Sequence, residues 1–408
     1  MNVQEALYLE CLKKCLLRKL VKNFDESDDH PEYEIRQDAV QKNFSSVIQF
    51  IEQLNIEADS KLLCNSLSML LILYKELQSD GPWNDTRCKE FSRKLNIHFD
   101  LLHGTTLDNL LKSKLINGQD MFDFFLDSQS DKFTVDDFKK YPSLIDVYCS
   151  FIKDARECNL LVNPRKAMAF SLILIQDYQR SNQIKGLRCC QSILQCLTLK
   201  DFQNCNYYEI IYETLSKGCY EKDLTITNMN LECLVALLKL LPKDIKETKS
   251  DLLFSNILEQ IMVESNFYRK RDLVKFVRDI IKINEVFCMK RKKKFIQVML
   301  ICLDCCSMDS VWQILLMDVL ECLEEWFKYN GVLWKLSLDF ELLSEFFKLY
   351  IIQNEKHVQE KINNLILTII KLCKEKEQLM VTEQYDKIIN RSFEYQRTQT
   401  GEKTVVNG

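Results

Sequence analysis

Starting at Ile226, apolar side chains recur at Met229, Cys233, Leu234, Leu237, Leu238 and Leu241, the three-and-four spacing of one helix face. Pro242 follows, and because proline has no N–H to donate, the pattern predicts a helix end there. Val311, Leu315, Val319, Cys322, Leu323, Trp326 and Phe327 repeat the spacing, with Asn330-Gly331 predicting a left-handed closing residue. Asn163-Pro164 reads as an N-cap followed by a first-turn proline, opening a helix through Ala167, Phe170 and Leu174. Tyr141-Pro142-Ser143 opens another in the same way.

From Asn182 onward the predicted helices come in pairs joined by short polar turns. The pairs are 182–198 with 206–218, 224–241 with 250–264, 267–281 with 284–305, 308–330 with 338–353, and 355–373 with 376–392. Their spacing is roughly 40 residues, the period of HEAT and armadillo units. A single hairpin of this kind cannot bury its apolar face alone, so successive pairs must stack. The predicted fold is therefore all-α, a HEAT/armadillo-like α-solenoid of stacked antiparallel helix pairs. The first part of the chain is less regular, with helices over 1–22, 34–54, 60–78 and 85–102 and short pieces to about 139. The acidic stretch Asp25 to Glu34 is its clearest loop. Three regions follow: an irregular helical region at 1–140, helical repeats at 141–393, and a polar tail at 394–408 expected to be disordered.

Composition reinforces this picture. The 408 residues include only 8 Gly and 5 Pro, too few for the turns that hairpins, sandwiches and phosphate loops require. The net charge of −4 gives no electrostatic footprint for a phosphate backbone, so nucleic acid is not an expected direct partner. Lys13 and Lys14 interrupt the apolar run at the N-terminus, which does not read as a secretory signal. Apolar stretches such as Met69 to Tyr74 fall well short of the roughly 18 residues that cross a bilayer, so the expectation is a soluble protein of cytoplasm and nucleus. Most of the 18 cysteines, Cys64, Cys233, Cys322 and Cys373 among them, sit inside apolar helical patterns and read as reduced core thiols.

The remaining polar residues form no recognisable catalytic or metal-binding pattern. The four histidines, His30, His98, His103 and His357, lie in no zinc-hydrolase spacing, and His103-Gly104 reads as a helix end. Neither a Walker-type phosphate loop nor a Gly-x-Ser-x-Gly elbow occurs. Cys302, Cys305 and Cys306 form one cysteine cluster and Cys189-Cys190 a pair, but zinc sites use two ligand pairs held by turns, so core packing is the expected role. No catalytic residue, cofactor or metal is predicted. The strongest charge run is Lys290, Arg291, Lys292, Lys293 and Lys294, with Arg269, Lys270 and Arg271 upstream. It reads as a solvated helix face, with a nuclear localisation signal or a patch for acidic partners as the functional alternatives. Trp312, Trp326 and Trp334 fall in one repeat region, and Trp334, following a turn, is a candidate interface anchor.

One stretch looks familiar. Leu174 to Ile193 places Asp177-Tyr178 before a short polar turn, then Asn182, then Gly186 inside the next helix. This resembles the signature of the Tti-two family, the Tel-two-interacting proteins. The likeness continues through Leu199, Asp201, Tyr212, Leu215 and Leu231 to Pro242, and two further stretches are similar: Pro82 to Arg87 with Glu90 and Arg93, and Tyr268 to Arg271. The resemblance implies a subunit of the TTT co-chaperone complex, with Tel-two and Tti-one homologues as partners. That complex acts with the ninety-kilodalton heat-shock chaperone to mature phosphatidylinositol 3-kinase-related kinases, supporting DNA-damage and nutrient signalling. On physical grounds the motif itself reads as structural. Asp177 is expected to accept from backbone N–H groups of the next helix, Asn182 to cap that helix, Tyr178 to pack on it, and Gly186 to permit close helix approach. The alternative is another helical-repeat adaptor, such as a transport-receptor-like cargo binder; an enzyme with an unusual site is the third class.

Overall fold

The computed structural model describes residues 3–25, 29–54, 61–113, 115–203, 206–308, 310–333 and 335–399. Among them every regular element is helical, and no helix is long and apolar enough to cross a membrane. The chain forms two compact units, Met1–Gly218 and Cys219–Gly408.

The first unit contains α1 (Val3–Cys15), α2 (Pro31–Gln53), α3 (Lys61–Gln78), α4 (Thr86–His103), α5 (Gly118–Gln129), α6 (Pro142–Glu157), α7 (Pro164–Ile175), α8 (Arg180–Cys196), the single-turn α9 (Leu199–Phe202) and α10 (Tyr207–Gly218). Side-chain caps explain several starts: Asp85 accepts from the Cys88 N–H at 2.9 Å and Asn163 from the Arg165 N–H at 3.0 Å, with Pro164 in the first turn. Gly104 closes α4 at φ +67°, the left-handed conformation that favours glycine. The helix expected over 1–22 ends at Cys15 because Leu17 and Leu20 turn inward instead, packing in an extended segment against Tyr33, Trp83 and Phe24.

The second unit contains α11 (Leu224–Leu240), α12 (Lys243–Val263), α13 (Phe267–Asn284), α14 (Lys292–Cys305), α15 (Trp312–Asn330), α16 (Leu336–Ile352), α17 (Lys356–Leu372) and α18 (Glu375–Gln399). Each helix packs on its sequence neighbour and on the helix two places along: α11 on α13, α13 on α15 and α15 on α17 in one layer, α12 on α14, α14 on α16 and α16 on α18 in the other. This two-layer stack of hairpins is the HEAT-like arrangement predicted from the repeat spacing. Its core is apolar, with Leu273, Val277, Phe295, Leu315, Leu320 and Phe346 fully buried and Trp326 stacked on Phe295 at 4.2 Å. Cys233, Cys322 and Cys373 are buried here, while Cys64 of the first unit is half-buried.

Three local details differ from expectation. Pro242 ends α11 as predicted, but α12 begins at once at Lys243, seven residues before the expected 250, because its first two turns are polar and carry no apolar stripe. The helix expected over 284–305 begins only at Lys292, because a 3₁₀ turn, Glu285–Arg291, takes up its first residues. Gly331 is right-handed (φ −59°, ψ −30°) and leads into another 3₁₀ turn; a Cβ there would lie 2.9 Å from Leu372 Cδ1 at the end of α17. Trp334 lies outside the described residues, as does 400–408 of the tail region, whose residues 394–399 complete α18.

Ion pairs of alternating sign join helices within each layer. In one, Lys275 and Arg278 of α13 face Asp318 and Glu321 of α15, whose Glu324 meets Lys361 of α17. In the other, the Arg291 guanidinium grips the Asp251 carboxylate of α12 at 2.8 and 3.1 Å, holding it below the usual carboxylate range. An acid whose folded pKa is depressed contributes stability above its unfolded value near ~3.9, lost as pH falls through the lower folded value. Because both partners are partly exposed, the contribution is small. Asp251→Asn is expected to lower stability by roughly 0.5–1 kcal/mol at neutral pH, with the gap to wild type closing as pH falls through the Asp251 pKa. Urea titrations at several pH values measure this; equal midpoints at neutral pH would remove the pair from the account.

Candidate functional site

The familiar stretch forms the α7–α8 turn. Asp177 is buried in it: Oδ1 accepts the Tyr178 N–H at 2.9 Å and pairs with Lys139 Nζ at 2.6 Å, while Oδ2 accepts from Asn182 Nδ2 at 2.7 Å. Asn182 is not the cap. The N-cap is Gln179, and Asn182, the third residue of α8, also donates to Gln179 Oε1 at 3.0 Å. Asn182 stands inside the first turn, past the cap position, and its Nδ2 donor is drawn to the buried Asp177 carboxylate, a charge-assisted hydrogen bond. Tyr178 does not pack on α8 either. It is 79% exposed and its ring lies 3.7 Å from Lys139 Nζ, a cation–π contact that closes the cluster from outside. Gly186 matches its expected role: a Cβ would lie 2.7 Å from both Ser171 O and Ile175 N on α7.

Two of the family-like stretches meet at one groove of about 760 Å³, where Ser181, Asn182 and Lys185 face Pro82, Trp83 and Lys75. Its charges are already paired, Lys185 with Asp146 at 2.6 Å, Lys75 with Asp154 and Lys89 with Asp80. Burial holds Asp154 above the usual carboxylate range, and the Lys75 ammonium opposes that shift. Behind the groove, Arg36 and Glu76 form an ion pair at 2.8 Å with both side chains no more than 1% exposed. Arg36 Nη1 also donates to Trp83 O at 3.0 Å and Asn84 Oδ1 at 2.6 Å; Glu76 accepts the Leu17 N–H at 2.7 Å and the Ser143 hydroxyl at 3.2 Å. The groove is thus lined by side chains whose charges are neutralised by one another.

In the second unit, the two basic runs lie at opposite ends of α13, roughly 25 Å apart at 1.5 Å per residue, and do not form one ridge. Arg269 donates to Cys219 O at 2.6 Å and pairs with Glu264 at 3.3 Å; Arg271 pairs with Asp272 at 3.0 Å. Lys270 is buried beside the Phe267 ring. Lys292 pairs with Asp339 at 2.6 Å and Lys294 with Glu259, leaving Lys290 and Lys293 as the exposed members. In the cysteine cluster, burial pushes the Cys302 thiol up to about 12 and holds Cys306 higher still, so both stay protonated at neutral pH. Among the described residues, no group of three or more His, Cys, Asp and Glu side chains is placed to hold a metal ion.

No protein-family model matches the chain. It is similar to TELO2-interacting protein 2 of Homo sapiens, with 22% identity over 174 residues covering 40% of this chain and 32% of that protein. The match thus spans about a third of the relative's own length. Among solved structures, importin beta crystallised with polyethylene glycol is similar at a TM-score of 0.49 and 10% identity, over 98% of this chain and 52% of that one.

Two substitutions test the geometry. Gly186→Ala gains helix propensity yet forces α7 and α8 apart, and is expected to cost roughly 1–3 kcal/mol in chemical denaturation. A stabilised variant would show that the helices separate freely. Glu76→Gln leaves Arg36 buried without its counter-charge and is expected to cost about 3–5 kcal/mol, against little change for Glu90→Gln on the exposed face of α4.

Proposed function

We propose that this chain is a non-catalytic scaffold subunit of a TTT-type co-chaperone complex, holding Tel-two and Tti-one homologues. The observation that supports it is the sequence similarity to TELO2-interacting protein 2, a protein named for its interaction with TELO2. The charge-paired groove fits the same reading, because its polar groups are committed to one another and the surface it leaves is suited to contact. Through its partners the complex would meet the ninety-kilodalton heat-shock chaperone and stabilise phosphatidylinositol 3-kinase-related kinases, in cytoplasm and nucleus. No bond is made or broken by this chain; its contribution is rigid spacing and surface complementarity.

Co-purification with the tagged full chain is expected to recover Tel-two and Tti-one homologues together. Recovery of neither, or of a transport GTPase in their place, would overturn the reading. Tyr178, an exposed aromatic beside the groove, is the expected contact of largest effect: Tyr178→Ala should cost about 2 kcal/mol of binding with an unchanged melting temperature.

A further inference from the structure

The second unit gathers lysines that no run in the sequence announces. Lys239 ends α11, Lys246 lies near the start of α12, and Lys282 ends α13; together they line a depression of about 250 Å³. Asp279, 3.8 Å from Lys282, is the one carboxylate in its lining, so the depression carries an excess of positive charge. Lys239, Lys243, Lys246 and Lys290 form no ion pair among the described residues. Asp244, Glu247 and Glu285 stand on the same elements. Lysines at the N-terminus of α12 oppose the helix dipole, so helix stability does not account for Lys243 and Lys246.

Beside the depression the backbone is strained. Glu285 adopts φ +50°, ψ −117°, a conformation that a residue with a Cβ rarely holds. It turns the chain sharply out of α13 and leaves Val286 and Phe287 exposed at 51% and 42%. Lys243 Nζ lies 5.9 Å from the Phe287 ring, which links the apolar pair to the cationic end of α12. An outward-facing aromatic with lysines next to it matches a chain that brings carboxylates and an apolar side chain together. A single-stranded nucleic acid can stack a base on Phe287, but it has no aliphatic side chain to cover Val286 beside it, so a peptide with acidic and apolar residues is the better match.

We infer that this end of the α11–α13 hairpins, centred on Lys239, Lys246, Lys282 and Phe287, docks an acidic peptide segment of a partner protein, with an apolar residue of that segment seated on Phe287. The inference does not depend on which complex the chain joins, so its failure leaves the proposed function standing, and the reverse holds as well.

The test uses the full chain and a fluorescein-labelled peptide of Glu and Asp around a central Phe-Leu pair, read by fluorescence anisotropy. Binding to wild type is expected, weakening with added NaCl. Affinity should fall at least about tenfold in the combined variant Lys239→Glu, Lys246→Glu, Lys282→Glu, and severalfold in Phe287→Ala. Replacing the Phe-Leu pair with Ser should reproduce the Phe287→Ala loss. If the triple variant melts abnormally by circular dichroism, Phe287→Ala and the salt titration decide the matter. No binding by wild type, equal affinity in the variants, or tighter binding of oligothymidylate than of the peptide would each overturn the inference.

Discussion

Arg36 and Glu76 sit almost wholly out of water, and that constraint organises the first unit. Desolvating two charges is costly, and their attraction offsets the cost only if the remaining donors and acceptors are also satisfied. Arg36 Nη1 reaches the carbonyl of Trp83 and the side chain of Asn84, and Glu76 takes the Leu17 N–H and the Ser143 hydroxyl, while Arg36 Nη2 is buried without a hydrogen-bond partner among the described residues. These contacts tie together the segment after α1, the body of α2 and α3, the loop before α4 and the first turn of α6. A shift of α2 against α3 would leave both charges buried and unpaired, and a shift of any other segment would take a hydrogen bond from one of them. The wall of the groove, built from Pro82, Trp83 and Lys75, is held to the same geometry.

The second unit solves the ordering problem differently. Its stabilisation comes from apolar burial between hairpins, which is non-directional and does not by itself specify which hairpin stacks on which. The half-exposed ion pairs add that information. α13 presents cations toward α15, α15 presents carboxylates to both α13 and α17, and α14 presents cations to α12 and α16. Each pair is worth at most about 1 kcal/mol, but a misordered stack would set like charges against each other along a whole helix. Most of the basic run at 290–294 acts here: Arg291 at the end of the 3₁₀ turn and Lys292 and Lys294 of α14 supply the cations of this layer.

This explains what the sequence made legible. Helices with an apolar stripe, such as α11, α13, α15 and α17, are visible from periodicity because burial imposes it. The first turns of α12 are not, since Lys243 to Lys249 bury nothing that would leave a trace. Gly331 and the 3₁₀ turn at 285–291 depend on contacts or strain that no local pattern encodes. The same limit applies to sites. Gly186 was legible because a helix-interior glycine is costly without a reason. The position of Asn182 was not, because Lys139, which draws the cluster inward, belongs to a turn well upstream in the chain. Charge runs are conspicuous in sequence but most of their partners lie elsewhere in the fold, where Arg269, Arg271, Arg291, Lys292 and Lys294 are ion-paired. Lys239, Lys246 and Lys282, which share one depression, are scattered singly in the sequence.

A motif can be structural and still serve recognition. Asp177, Lys139, Asn182 and Gly186 fix the angle and spacing of α7 against α8 without offering a reactive group. Their effect is to hold Tyr178 outward over Lys139 and to hold Ser181 and Lys185 at the edge of the groove. Association costs free energy for every side chain and loop it must order, and a surface already ordered in the free chain avoids much of that cost. A scaffold has no transition state to stabilise, so pre-organisation of this kind is the chief way its own residues can raise affinity. Under the proposed function, the buried residues of the motif set the geometry of the surface, and Tyr178, which they position, is the residue offered for contact.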